Sequence, residues 1–193
     1  MRLFVGLPIP DPVQANLREL LQRLRPLADF RWTPVENLHV TTKFIGDFPE
    51  ARLDELKQAL ATVSAPPHVD ISVRGLGWFP NPHHPRVFWA GVDGGEPLRA
   101  LASATDQATA RLGVATEERE FRPHLTLARL NEARLKGPAS SASPRAQLES
   151  IRRGVASLDS QDFGSFRPAG FVLYISSQGK YTSLAEFPLP TRR

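Results

Sequence analysis

Two octapeptides, "NLHVTTKF" at 37–44 and "RPHLTLAR" at 122–129, constrain this chain more than any other feature. Each places a His-x-Thr triplet inside an aliphatic run that reads as a β-strand. The two histidines, His39 and His124, lie 85 residues apart. In an extended strand residues i and i+2 share a side. His39 and Thr41 therefore share one face and Val40, Thr42 and Phe44 the other, with Lys43 continuing the histidine side. The same alternation pairs His124 with Thr126, opposite Leu125 and Leu127, and sends Arg129 to the packing side unless a bulge turns it back. A single His-x-Thr is an ordinary strand sequence; two on matching strands predict a duplicated unit that brings two imidazoles together.

The intervening sequence supplies the rest of the architecture. Asp11, Pro12 and Gln14 predict a helix start with Asp11 as its cap. Val13, Leu17, Leu20, Leu21 and Leu24 form its apolar stripe. Further helices are expected from about Glu50 (Leu53, Leu56, Leu60, Val63), over about 97–112, and beyond "KGPASSASPR" (Leu148, Ile151, Val155, Leu158). Strand-like runs cover the N-terminal decapeptide and "LHVTTKFIG", "VDISVRGLGWF", "RVFWAGV", "PHLTLARL", "GFVLYISS" and "YTSLAEFPL". The order β-α-β-α-β-β-α-β-α-β-β predicts an α+β fold: two mainly antiparallel sheets facing a central cleft, helices on the outer faces. Residues 1–193 are read as one domain of two pseudo-symmetric lobes, each giving one motif strand (39–42 and 124–127). The serine-rich 137–143 is the expected flexible segment.

The absence of cysteine among 193 residues removes disulfides, thiol nucleophiles and cysteine-ligated metals, and makes a cytoplasmic protein the expectation. The opening apolar run is cut by Pro8 and Pro10, too short for a signal sequence or a membrane span. A metal centre needs three or four ligands, and no local His/Asp cluster offers them. His68, His83 and His84 fall in proline-rich loops. The net charge of +4 is uneven: residues 1–97 hold 10 basic and 11 acidic side chains, residues 98–193 hold 14 and 9. A mildly basic half suits a phosphate-bearing ligand.

Two imidazoles on opposite sides of a phosphate suit in-line displacement, one taking a proton from the nucleophile and the other giving one to the leaving group. Thr41 and Thr126 then donate to non-bridging oxygens. Phe4, Trp78 and Phe79 are candidate base-stacking surfaces, Trp32 is a packing anchor, and Asn37 is placed to orient the first motif strand.

These residues resemble the 2H phosphoesterase superfamily, and within it the bacterial and archaeal RNA 2′,3′-cyclic phosphodiesterases, also called 2′-5′ RNA ligases. Trp32, Pro34, Asn37, His39, Thr41, Phe44 and Gly46 carry the first motif. Arg119, Phe121, Pro123, His124, Thr126 and Arg129 carry the second. The resemblance implies hydrolysis of a 2′,3′-cyclic phosphate at an RNA 3′ end to a 2′-phosphomonoester, without metal or cofactor. It also implies 2′-5′ linkage chemistry on tRNA fragments. His39 is read as the general acid and His124 as the general base, with the reverse split left open because neither sequence context separates the two. Arg119 and Arg129, through the resemblance, and Lys43, through strand alternation, join the threonines as candidate phosphate contacts. A monomer without an obligate protein partner is expected. The competing readings are a binding module for nucleotides or RNA ends, and a phosphodiesterase for a small cyclic nucleotide.

Overall fold

The computed structural model describes residues 1–64, 66, 68–130 and 143–190. Within these, nine strands and four α-helices follow in the order β1 (Arg2–Pro8), α1 (Asp11–Leu24), β2 (Arg31–Trp32), β3 (His39–Asp47), α2 (Leu53–Ala61), β4 (Ile71–Phe79), β5 (Val87–Asp93), α3 (Gly95–Ala110), β6 (His124–Arg129), α4 (Pro144–Ala156), β7 (Asp162–Phe166), β8 (Gly170–Ser177) and β9 (Lys180–Pro188). One sheet runs β3-β1-β8-β9 and the other β2-β6-β5-β4-β7, every pairing antiparallel. This is the α+β arrangement read from the sequence. β2 and β7 were not foreseen, because two residues carry no periodicity and "DFGSF" is poor in strand formers.

The sheets do not divide the chain in half. Strands from both ends build the β3-β1-β8-β9 sheet, whereas the other takes β4 to β7 from the middle and adds the short β2 that precedes β3. The helices cross over too: α1 packs on β7 and α4, while α3 packs on β3 and α2. The α1 stripe of Val13, Leu17, Leu20, Leu21 and Leu24 is buried as its spacing predicts, as are Leu56, Leu60 and Ile151. Asp11 is not the cap of α1. Pro10 holds that position without a side-chain cap bond, and Gln14 turns its amide onto the Ile9 carbonyl at 2.7 Å. The 137–143 segment lies, apart from Ser143, outside the described residues. Among the described residues no helix is long and apolar enough to cross a membrane.

Both motif strands carry the same irregularity. β1 pairs with β3 through Gly6↔Thr41 and Val5↔Lys43, leaving Thr42 as an extra residue; β5 pairs with β6 through Trp89↔Thr126 and Phe88↔Ala128, leaving Leu127. An unpaired residue of this kind is a β-bulge, and it reverses the alternation beyond it. Two inward residues therefore follow one another, Thr42–Lys43 and Leu127–Ala128, all four buried. The next residue in each strand, Phe44 or Arg129, returns to the side of the histidine.

This break corrects two expectations. Lys43 does not continue the histidine face. It is 4% exposed, and its ammonium is held in a short ion pair with Asp106 of α3 and donates to the Ala115 carbonyl at 2.6 Å. Phe44, expected on the packing side, is instead 53% exposed.

Candidate active site

His39 and His124 open their strands and are held alike. His39 Nδ1 lies 2.8 Å from the Asn37 carbonyl, and His124 Nδ1 lies 2.8 Å from the Arg122 carbonyl. A carbonyl only accepts, so Nδ1 carries the proton in both rings and Nε2 is left with its lone pair. The strand fixes the spacing, because the residue two before the histidine turns its carbonyl back to the ring. Asn37 is tied down in turn: its side-chain amide donates to Gly179 O at 3.0 Å. Gly179 ends the tight β8–β9 turn, where Gln178 and Gly179 both have positive φ as a two-residue hairpin requires.

Around His39 the wall is aromatic. Phe4 stacks on the imidazole at 4.5 Å between ring centroids, Tyr181 meets it edge-on at 5.2 Å, and Tyr174 stands 6.0 Å away. Gly6 makes room for the ring: a Cβ there would lie 3.2 Å from His39 Cδ2 and 3.0 Å from the Val40 carbonyl. His124 has a thinner wall, Phe79 edge-on at 5.0 Å, and Phe79 lies 5.2 Å from Trp89. The Trp89 indole crosses directly above Gly77, where a Cβ would come within 2.2 Å of it.

Burial sets the protonation of both rings. His39 is lowered from its ordinary 6.5 to about 4, by desolvation first and then by the positive charges of His124 and Arg129, against the Asn37 hydrogen bond. His124 is lowered by desolvation and by Arg129, against the Arg122 hydrogen bond. Arg129 thus acts electrostatically on both imidazoles. The bulge has turned it back to the side of the histidines, the alternative to the packing side that strand alternation left open. Tyr174 is raised, by desolvation and by Glu186.

Arg119 does not join this group. Its side chain is exposed and closes a two-pronged pair with Glu117, at 2.8 and 3.0 Å, holding that carboxyl down to about 2. Arg122 likewise turns its guanidinium outward to Glu120 and gives the site only its carbonyl. Of the stacking candidates, Phe4 and Phe79 touch the histidines, whereas Trp78 packs inward on Phe88 and Phe30. Trp32 is the anchor expected, donating to Ala28 O at 3.1 Å and packing on Phe30 and Phe88. Tyr174, Tyr181 and Trp89 were missed. Their signal is cross-strand position, Tyr174 opposite Phe4 and Trp89 opposite Thr126, and that is invisible until the pairing is known.

A cavity of about 750 Å³ opens elsewhere, lined by His68, Asp70, Asp93 and Arg167 among others and by no motif-strand residue. The chemistry of the imidazoles outweighs its size. Among the described residues no three His, Asp or Glu gather in a way that would hold a metal ion.

Fold and site define a class: α+β proteins in which two antiparallel sheets each present one His-x-Thr strand. The chain belongs to the LigT-like phosphoesterase family, whose model matches it twice in tandem, at 7–89 and at 92–174. It is 34% identical over 130 residues to an RNA 2′,3′-cyclic phosphodiesterase of Archaeoglobus fulgidus, covering 67% of this chain and 73% of the relative. It is 30% identical over 169 residues to the like-named protein of Methanothermobacter thermautotrophicus, covering 86% and 85%. The crystal structure of TT0787 of Thermus thermophilus superposes over all of both chains, with TM-score 0.74 and 28% identity. E. coli LigT complexed with phosphate covers 99% of this chain and 98% of its own, with TM-score 0.69 and 25% identity.

Proposed function

We propose that the protein hydrolyses 2′,3′-cyclic phosphate ends of RNA to 2′-phosphomonoesters, by paired general acid and base catalysis without a metal ion. The observation that carries this is the matched tethering of the two imidazoles. Each Nδ1 is tied to a backbone carbonyl, which leaves each Nε2 its lone pair, and each ring shares a strand face with a threonine. Names borne by the relatives support the RNA substrate, and the phosphate complex of E. coli LigT supports an anion site in this fold.

In this mechanism His124 Nε2 takes a proton from water as the water oxygen bonds to phosphorus. The bond from phosphorus to the 3′ oxygen breaks, and His39 delivers its proton to that oxygen. Thr41 and Thr126 donate to the non-bridging oxygens, and Arg129 adds a positive charge where negative charge builds. Burial keeps both imidazoles mostly neutral before substrate arrives, so the anionic phosphate is what favours the protonated form of His39. Attack by an RNA 5′-hydroxyl in place of water would form a 2′-5′ linkage through the same transfers. We take the two motif strands, with their shared bulge, as products of one duplicated unit within a single domain.

The test is an oligoribonucleotide ending in a 2′,3′-cyclic phosphate, incubated with the protein and a chelator, with product identification. A 2′-phosphate product that disappears in both His39→Ala and His124→Ala is the expected result. Turnover that persists in both variants would refute the reading, and ligand binding without turnover by the wild type would leave a binding module.

A further inference from the structure

We infer that Phe44 and Arg2 form a platform for the RNA strand adjoining the reacting nucleotide, a reading that rests on the proposed RNA substrate. Phe44 and Leu27 are the exposed large hydrophobic residues among those described, and Phe44 is the aromatic one. Its position is built rather than incidental. The Thr42 bulge turns it to the His39 side of β3, and its strand partner is Phe4, the residue stacked on His39. One edge-strand face thus presents, in order, the catalytic imidazole, a phosphate-binding threonine and an open aromatic ring.

The guanidinium of Arg2 lies 5.3 Å from the Phe44 ring centroid. An exposed ring with a cation against it matches single-stranded nucleic acid, where bases stack on aromatic faces and a nearby positive charge tracks the backbone. The Phe44 Cα lies five residues along the strand from that of His39, up to about 16 Å at strand rise, and the Phe44 ring leans onward, to within 3.7 Å of where a Cβ on Gly46 would lie. That separation puts the ring beyond the nucleoside bonded to the reacting phosphate and within reach of a neighbouring nucleotide. The platform therefore selects polymer ends over mononucleotides. At the corresponding position of β6 stands Arg129, so the two bulges deliver different chemistry to the two sides: a cation at one, a stacking surface at the other.

The experiment compares a hexaribonucleotide ending in a 2′,3′-cyclic phosphate with adenosine 2′,3′-cyclic phosphate. For Phe44→Ala the KM of the hexamer relative to the mononucleotide rises roughly 5- to 10-fold, the lower end of what loss of one base–aromatic stack produces. Phe44→Tyr restores the wild-type ratio and Phe44→Leu does not. For Arg2→Ala the slope of log affinity against log salt for the hexamer becomes shallower by about 0.7, one strand phosphate contact. An equal loss on both substrates, or no change in the ratio, overturns the platform. Fluorescence anisotropy of a labelled hexaribonucleotide 2′-phosphate separates this result from failure of the catalytic reading. If the wild type binds the probe but turns nothing over, weaker binding by Phe44→Ala still supports the platform, and unchanged binding overturns it.

Discussion

Lowering the pH should loosen this protein, and at His39 the size of the effect can be worked out. In the unfolded chain His39 takes up a proton near its ordinary 6.5, whereas in the folded protein it does so only near pH 4. Between those values the unfolded state binds more protons, so stability rises with pH across the window and is lost as pH falls through it. A displacement from 6.5 to about 4 corresponds to about 3 kcal/mol at 1.36 kcal/mol per pH unit. All of that is present above pH 6.5 and gone below pH 4. The physical source is the aromatic wall: Phe4, Tyr174 and Tyr181 exclude the water that would solvate an imidazolium. The assay is guanidinium unfolding at intervals from pH 4 to 7.5, for the wild type and for His39→Gln, which carries no titrating ring. Subtracting the two cancels the carboxylates common to both. The difference should change by about 1.4 kcal/mol per pH unit inside the window and be flat above it. Parallel curves would show that His39 is not desolvated in the folded state, and the electrostatic account of the site would fail with it.

Three further outcomes follow from the same geometry. In the proposed mechanism the two imidazoles hold one proton between them, and both are shifted below 6.5 in the free protein; kcat/KM should therefore fall about tenfold per pH unit above roughly pH 6.5, and a flat profile to pH 8 would contradict this. Lys43→Met leaves the Asp106 carboxylate, 20% exposed, without its ammonium and should cost about 3 kcal/mol in denaturant unfolding, with partial recovery in Lys43→Met/Asp106→Leu. Gly77→Ala drives a methyl into the Trp89 indole and should cost about 1–3 kcal/mol with a change in tryptophan emission; wild-type stability and emission would mean that the indole does not lie where described.

The sequence spoke most clearly where a single physical rule governed a residue. Helical spacing marked Val13, Leu17, Leu20, Leu21 and Leu24 as a buried stripe, because nothing but packing acts on them. Alternation placed His39 with Thr41 and His124 with Thr126 because those residues precede the bulges. It failed at the next step. Thr42 and Leu127 are ordinary strand residues, and nothing in their chemistry announces that they lack a partner. The bulge exists only in the pairing with β1 and β5. Lys43, Phe44 and Arg129 were all misplaced or left undecided for that one reason. Arg119 shows a different limit: a motif match located the residue, but its guanidinium settled on Glu117, two residues earlier in an exposed loop.

The interleaving of the sheets bears on how this molecule is held together in time. The family model finds two tandem units meeting near residue 90, within β5, yet neither half of the chain contains a whole sheet. Splitting the chain there would strip β8 and β9 from β1 and β3, and β6 and β7 from β4 and β5. Each fragment would keep one His-x-Thr strand and lose strands that complete its sheet. Most of the joining contacts span long stretches of sequence, so folding carries a large loop-closure cost before it is rewarded and proceeds as one slow, cooperative event. The two histidines thus depend on one shared construction: each sheet draws strands from both tandem units.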